Sequence, residues 1–241
     1  MNKIDVGFEK VECIAHIADV HIRNLRRHKE YKQVFRKLYK DLKDNLPSNS
    51  LIYLAGDIAH AKTEMSPELI EMTSDLFTKL SKIAPTILIA GNHDCNLNNK
   101  SRLDALSPIV DSLHLDNFYY LRDNGLYEIG DCVFNVMSVF NDPEDYILSK
   151  NIKTDKTKIA LYHGSVENAT TDVGFKLPGE VTTDIFTGYD MVLLGDIHKQ
   201  QYLNKQKTIA YAGSLVCQNW GEHPTNHLSL IHISEPTRLR R

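Results

Sequence analysis

The 241-residue chain is 42% hydrophobic and 24% charged, with 12 glycines, 8 prolines and a formal net charge of −3. That mixed alphabet excludes collagen, coiled coil and low-complexity disorder, and no apolar run approaches the ~18 residues that cross a bilayer. Cys13, Cys95, Cys132 and Cys217 lie far apart without a CxxC spacing, which argues against a disulfide framework and a thiolate zinc site and for a reducing cytoplasm, that of a host if a phage encodes the chain. The first residues carry no signal-peptide pattern. The slight acidity supplies no global basic field for a nucleic acid.

Five apolar, β-rich runs recur along the chain, each ending in polar residues. They are 13–18 before Asp19, 51–55 before Gly56-Asp57, 86–90 before Gly91-Asn92-His93-Asp94, 158–162 before His163-Gly164, and 191–194 before Gly195-Asp196-Ile197-His198. Short continuous runs of this kind predict strands buried on both faces. Between the first and second, Tyr31, Val34, Phe35, Leu38, Tyr39 and Leu42 form an amphipathic helical stripe. Between the second and third, Ser66-Pro67 predicts a helix start with Ser as N-cap, followed by a stripe of Leu69, Met72, Leu76 and Leu80. This is the strand–helix–strand rhythm of a parallel sheet. Closely spaced strands at 118–121, 126–129 and 132–139, and a hairpin of 201–203 with 208–211, predict a second, more antiparallel sheet. Residues 151–158 read as a Lys-rich solvated connection.

The C-terminal string Leu228-Ser229-Leu230-Ile231-His232-Ile233-Ser234-Glu235-Pro236-Thr237-Arg238 resembles an in-frame translation of a transposase-type sequencing adapter. On that resemblance, residues 228–241 are a non-native tail and the domain spans 1–227, with the natural continuation cut short.

The strand ends offer Asp19, His21, Asp57, Asn92, His93, His163, Asp196 and His198. Ligands of open α/β sheets bind at the carboxyl ends of strands, and buried Asp and His there are costly unless they are paired or bind metal. Carboxylate, imidazole and amide ligands suit Mn²⁺, Fe²⁺ or Zn²⁺, and the set is too large for one ion.

In order and spacing, Asp19-x-His21, Gly56-Asp57, Gly91-Asn92-His93-Asp94, His163-Gly164 and Gly195-x-x-His198 resemble the motifs of the calcineurin-like metallophosphoesterase superfamily. The resemblance implies a four-layer α/β/β/α sandwich of two mixed sheets. It further implies that Asp19, His21 and His198 bind one divalent ion, that Asp57 bridges, and that Asn92, His163 and Asp196 bind a second. His93 would be the general acid for the leaving oxygen, steadied by Asp94. The chemistry implied is two-metal phosphoester hydrolysis. The superfamily has Gly-His-x-His in its fifth motif; Asp196 stands in place of the first His. That favours Mn²⁺, with Mg²⁺ second, over Zn²⁺, and leaves open that Asp196 sits behind the ligands and the second site is weak.

Gly56-Asp57-x-x-His60 resembles the SbcD-type DNA-repair and recombination nucleases rather than the phosphoprotein phosphatases, whose substrate arginine is missing. Gly213-Ser214-Leu215, Gln218-Asn219-Trp220-Gly221-Glu222 and the Gly195–Gln200 segment resemble the same branch, the last its phage and viral members. On this resemblance His60 contacts the substrate phosphate, DNA is the substrate, and an SbcC-type SMC-like ATPase is the partner, bound through a C-terminal region missing here. Independently of the resemblance, Arg23, Arg26 and Arg27 follow the first motif closely enough to hold DNA phosphates. A homodimer is open. The alternatives are a small-molecule or cyclic-nucleotide phosphodiesterase of the same superfamily, and a catalytically impaired module that binds DNA or a partner.

Overall fold

A computed structural model describes residues 1–218 and 229–233. In chain order the elements are β1 (Asn2–Lys3), β2 (Cys13–Ile17), α1 (His28–Asn45), β3 (Ser50–Leu54), α2 (Pro67–Ser81), β4 (Thr86–Leu88), α3 (Ser107–Leu113), β5 (Phe118–Tyr120), β6 (Gly125–Ile129), β7 (Cys132–Met137), β8 (Thr157–His163), β9 (Met191–Gly195), β10 (Gln201–Tyr202), β11 (Ile209–Tyr211) and β12 (Ser229–His232). They form two mixed sheets, ordered β12-β2-β3-β4-β5 and β1-β6-β7-β8-β9-β11-β10.

Side-chain alternation along the strands decides the layering. Ala15 and Ile17 of β2 and Ile52 and Leu54 of β3 face the helices, where they meet Tyr31, Phe35, Leu38 and Leu42 of α1 and Leu69, Leu76 and Leu80 of α2. Their neighbours Ile14, Leu51 and Tyr53 turn the other way and meet Phe134, Val136, Ile159, Leu161 and Leu193 of the second sheet. Burial of each large side chain contributes roughly 1.5–3 kcal/mol. The outer face of the seven-stranded sheet (Ala160, Tyr162, Val192, Leu194, Tyr211) is covered by loop residues and by Phe186 of a 3₁₀ turn at Thr183–Phe186. The outer layer on that side is thus thinner than the layer of three α-helices on the other.

Ser66 caps α2 as expected, its side chain accepting from Leu69 N at 3.3 Å, with Pro67 in the first turn. Two placements differ from the sequence expectation. Residues 118–120 join the helix-covered sheet, pairing parallel with β4, because the short α3 provides the crossover that parallel pairing requires. Asp104 holds the start of α3 by accepting from Leu106 N and Ser107 N. The second sheet is more parallel than expected, since β7, β8, β9 and β11 all pair parallel; its antiparallel pairs are β6–β7 and the expected β10–β11 hairpin. Ser229–His232, within the adapter-like segment, pairs antiparallel with β2 at the sheet edge. No helix among the described residues is long and apolar enough to cross a membrane.

Candidate metal centre and active site

The two sheets bring their carboxyl ends to one place. Asp19 and His21 follow β2, Asp57 follows β3 and Asn92 follows β4; His163 ends β8, and Asp196 and His198 follow β9. The chain reaches these positions through unusual backbone. Asp19 (φ 52°), His21 (φ 48°), Asp57 (φ 54°) and Asp196 (φ 99°) all have positive φ, a strained state for non-glycine residues that clusters at functional sites. The motif glycines permit the close approach. A Cβ on Gly56 would lie 2.6 Å from Gly91 N and 2.7 Å from His163 Nδ1, and one on Gly91 would collide with the Asp57 carboxylate.

The donor atoms sort into two overlapping groups around Asp57. Asp57 Oδ2 lies 3.4 Å from His21 Nε2, while Oδ1 lies 3.4 Å from His163 Nε2. On the first side, His21 Nε2 and His198 Nε2 are 3.1 Å apart, with Asp19 Oδ1 3.9 Å from His21. That nitrogen separation is close to the ~3 Å expected of neighbouring ligands each about 2.1 Å from one ion. On the second side, His163 Nδ1 donates to Ala55 O at 2.6 Å. The carbonyl can only accept, so Nε2 is the nitrogen free to bind, and it is buried without a hydrogen-bond partner. Asn92 is set the same way. Its Nδ2 donates to Asp196 Oδ1 at 3.3 Å, and its buried Oδ1 has no partner. Buried orphans of this kind are rare; here they are the atoms that a divalent cation would satisfy, so the residues fit the metals that the motifs imply. The backbone N–H of Asp196 spans both oxygens of Asp19, at 3.1 and 3.2 Å, so residue 196 helps orient a ligand on each side.

The electrostatics match a site built for cations. Burial, reinforced by Asp57, pushes Asp19 up to about 7. Burial raises Asp196 as well, and it lowers His21 to about 3. Burial also opposes ionisation of Asp57 and His163. Their attraction outweighs it, holding Asp57 below the usual carboxylate range and His163 well above the usual imidazole range. A metal held on this side would have to displace the His163 proton.

His93 is exposed at the mouth of the site. Its Nδ1 donates to His60 O at 2.8 Å, and its ring stacks on that of His60 at 5.7 Å. Nδ1–H is thereby committed, and the ring can give up a proton from Nε2 only as imidazolium. Asp94, expected to steady His93, makes its hydrogen bonds elsewhere. Its buried carboxylate accepts from Ala59 N and Gly91 N, each at 2.9 Å. The orienting groups Ala55 O and His60 O were not named from sequence, since a main-chain acceptor leaves no residue-type signal. Of the basic residues, Arg23 donates to Gln218 Oε1 at 3.4 Å, and its charge helps hold His60 below the usual imidazole range, behind the larger effect of burial. Arg27 is taken up by Glu30 and Cys217 O, both at 2.6 Å. Arg26 is exposed. Gly213–Gln218 is described; residues 219–222 lie outside the described residues.

The chain is 50% identical over 230 residues to "Uncharacterized protein R555" of Acanthamoeba polyphaga mimivirus, covering 90% of this chain and 17% of the relative. It is 22% identical over 187 residues to "Putative phosphoesterase 244L" of Invertebrate iridescent virus 6, covering 76% of this chain and 64% of that protein. It therefore spans less than two thirds of either relative. Among solved structures it is similar to the nuclease MPE of Pseudomonas putida, at a TM-score of 0.39 and 14% identity, over 88% of this chain and 80% of that one. The family described as calcineurin-like phosphoesterase matches residues 14–200, which contain every residue of the centre, and the chain belongs to that family.

Proposed function

We propose that the chain is a metal-dependent phosphodiesterase that cuts DNA, the nuclease subunit of an SbcD-type recombination-repair pair whose partner is an SbcC-type ATPase. The observation that carries the hydrolase is the split of Asp57, one oxygen toward the His21 side and the other toward His163. A carboxylate placed in this way would hold one ion on each side, which is the arrangement two-metal hydrolysis needs. Mn²⁺ is the expected metal, with Mg²⁺ second, since four of the seven proposed ligands, Asp19, Asp57, Asn92 and Asp196, offer oxygen. Bound there, the ions supply Lewis acidity and an activated water for in-line displacement. The chain's own residues do the rest: Asp196 holds Asn92 in register, Ala55 O fixes the His163 tautomer, and His93 donates from Nε2 to the leaving oxygen. DNA as substrate is supported by the Gly56-Asp57-x-x-His60 motif, by His60 stacked beside His93, and by Arg23 and Arg26 on the loop that leaves β2.

The test is cutting of linear and circular single-stranded DNA with Mn²⁺, Mg²⁺ or EDTA, beside an Asp57→Asn control and bis-p-nitrophenyl phosphate as a small substrate. Metal-dependent DNA cutting that vanishes in the control is expected. Hydrolysis of the small diester with no DNA cut would overturn the nuclease and leave the small-molecule phosphodiesterase. Loss of neither activity in Asp57→Asn would overturn the site.

A further inference from the structure

Tyr211 closes β11, and its buried ring packs with Val192 and Leu194 on the outer face of the seven-stranded sheet. Its hydroxyl makes two hydrogen bonds to one turn. A carbonyl can only accept, so the O–H donates to Gly164 O at 2.8 Å, and the oxygen accepts from Val166 N at 3.0 Å. That turn begins directly after His163. The other polar atom of Gly164 is held as well, its N–H donating to Gly195 O at 3.2 Å. A Cβ on Gly164 would collide with the Tyr162 hydroxyl, so the turn is packed closely on that side too.

The backbone around a ligand decides where its side chain can reach. His163 crosses to the other sheet, where Nδ1 meets Ala55 O at 2.6 Å and Nε2 lies 3.4 Å from Asp57 Oδ1. Both distances depend on the backbone at residues 163 and 164 staying where Gly195 O and the Tyr211 hydroxyl hold it. The first side of the centre is held differently. Beyond Tyr211 the chain runs on across the site, where Ser214 N donates to His198 O at 3.0 Å and Leu215 N donates to Ala18 O at 3.1 Å, one residue before Asp19. These are main-chain bonds, and removing a side-chain hydroxyl at position 211 leaves them in place.

We propose that Tyr211 is a positioning residue for the second ion: its hydroxyl fixes the turn after His163, and with it the reach of Nε2, while the ligands of the first ion are held without it. The inference rests on the two-ion reading above and not on DNA as the substrate.

The test follows Mn²⁺ binding by calorimetry, with no substrate present, in wild type and in Tyr211→Phe, which keeps the buried ring and removes only the hydroxyl. Tyr189→Phe is the comparator. Tyr189 precedes β9, at the far end of that strand from Asp196, and its hydroxyl also makes two hydrogen bonds, to Ile147 O and from Asn135 Nδ2. Wild type should show two binding steps. In Tyr211→Phe one step should weaken about tenfold, the low end of the ~10–100-fold lost when a metal ligand loses the group that orients it, and the other should not move. Tyr189→Phe should move neither step, at a similar fall in urea midpoint. In a His163→Ala background, which already lacks the affected ligand, Tyr211→Phe should cause no further loss of Mn²⁺ affinity. Two unmoved steps in Tyr211→Phe, or a further loss in the His163→Ala background, overturn the proposal. Equal losses in both steps, or the same loss in Tyr189→Phe, make Tyr211 a packing residue and overturn it as well. A wild type that takes up one ion or none overturns the two-ion reading and the proposal with it, whereas the expected pattern in a protein that cuts no DNA overturns the nuclease reading and supports the role of Tyr211.

Discussion

Replacing Asp94 perturbs the scaffold of the site without removing a proposed ligand. Its carboxylate joins two loops, accepting from Gly91 N in the loop after β4 and from Ala59 N in the loop after β3. Asp94→Ala strips both acceptors and leaves two buried N–H groups unpaired, at about 1–3 kcal/mol each, or about 2–6 kcal/mol together. Relief of a buried charge works against this loss: burial and the nearby Asp57 push Asp94 up to about 7, so its removal ends a repulsion. The net expectation lies in the lower half of the range, still a large share of the ~5–15 kcal/mol that holds a typical domain. Asp94→Asn keeps one acceptor and turns an amide N–H toward the second donor, so it should lose about half as much. Urea unfolding followed by circular dichroism should order the midpoints wild type, Asn, Ala, and calorimetric Mn²⁺ affinity should fall in the same order. The pH optimum for bis-p-nitrophenyl phosphate should stay in place, because the His93 Nδ1 proton goes to His60 O. An Ala variant that unfolds at the wild-type midpoint, or a moved pH optimum at unaltered Mn²⁺ affinity, would refute the strut and make Asp94 a proton partner.

Gly91→Ala should abolish high-affinity metal binding in calorimetry while circular dichroism stays native, since the added methyl displaces Asp57; wild-type affinity in that variant would contradict the geometry. In EDTA, stability should fall between about pH 5 and pH 8, less steeply than the carboxylates alone would give, because buried His21 and His16, both lowered to about 3, work the other way as pH rises toward about 6.5. Buried Asp19 and Asp94, both pushed to about 7, keep protons in the folded chain that the unfolded chain releases near pH 4. His163, raised by Asp57, adds stability that is present below its unfolded value and lost only at higher pH. Asp57 runs the other way, contributing above its unfolded value and losing that contribution only in strong acid. Mn²⁺ at a hundred times its Kd should restore about 2.7 kcal/mol, and an EDTA-treated protein with a higher urea midpoint at pH 8 than at pH 5 would sink this account. Arg26→Ala should slow DNA cutting at constant stability, whereas Arg27→Ala should cost about 1 kcal/mol through its lost ties to Glu30 and Cys217 O; equal effects of the two on DNA and on stability would erase that distinction.

The parts of this molecule that were legible in the sequence are those where residue type and position coincide. Asp and His directly after short apolar runs announce strand ends that carry chemistry, and the structure does bring Asp19, His21, Asp57, Asn92, His163, Asp196 and His198 together. Ser66-Pro67 announced a helix start in the same way. What was illegible depends on partners distant in sequence. Residues 118–120 look like part of a meander with 126–129, and only the seven-residue α3, too short for a clear periodic stripe, sends them to the other sheet. Asp94 sits beside His93 in sequence, yet its partner is a backbone N–H 35 positions back. Arg27 and Arg26 are neighbours with opposite fates, because only Arg27 finds Glu30 one turn on. At the open edge of β2, unpaired backbone groups accept an apolar strand whatever its origin, so the pairing of Ser229–His232 follows from the edge and not from where that segment comes from.

Asp19, His21, Asp57 and Asn92 hang from one sheet, while His163, Asp196 and His198 hang from the other. The gap across the centre is therefore set by the thickness of the layer between the sheets, where Tyr53 and Leu51 meet Phe134 and Leu161. Ions held across that gap would have their radius gauged by residues that touch no ion. Thinning that layer would bring Asp57 and His163 to a different reach, so a preference among divalent metals can drift through substitutions in the apolar interior while every ligand stays unchanged.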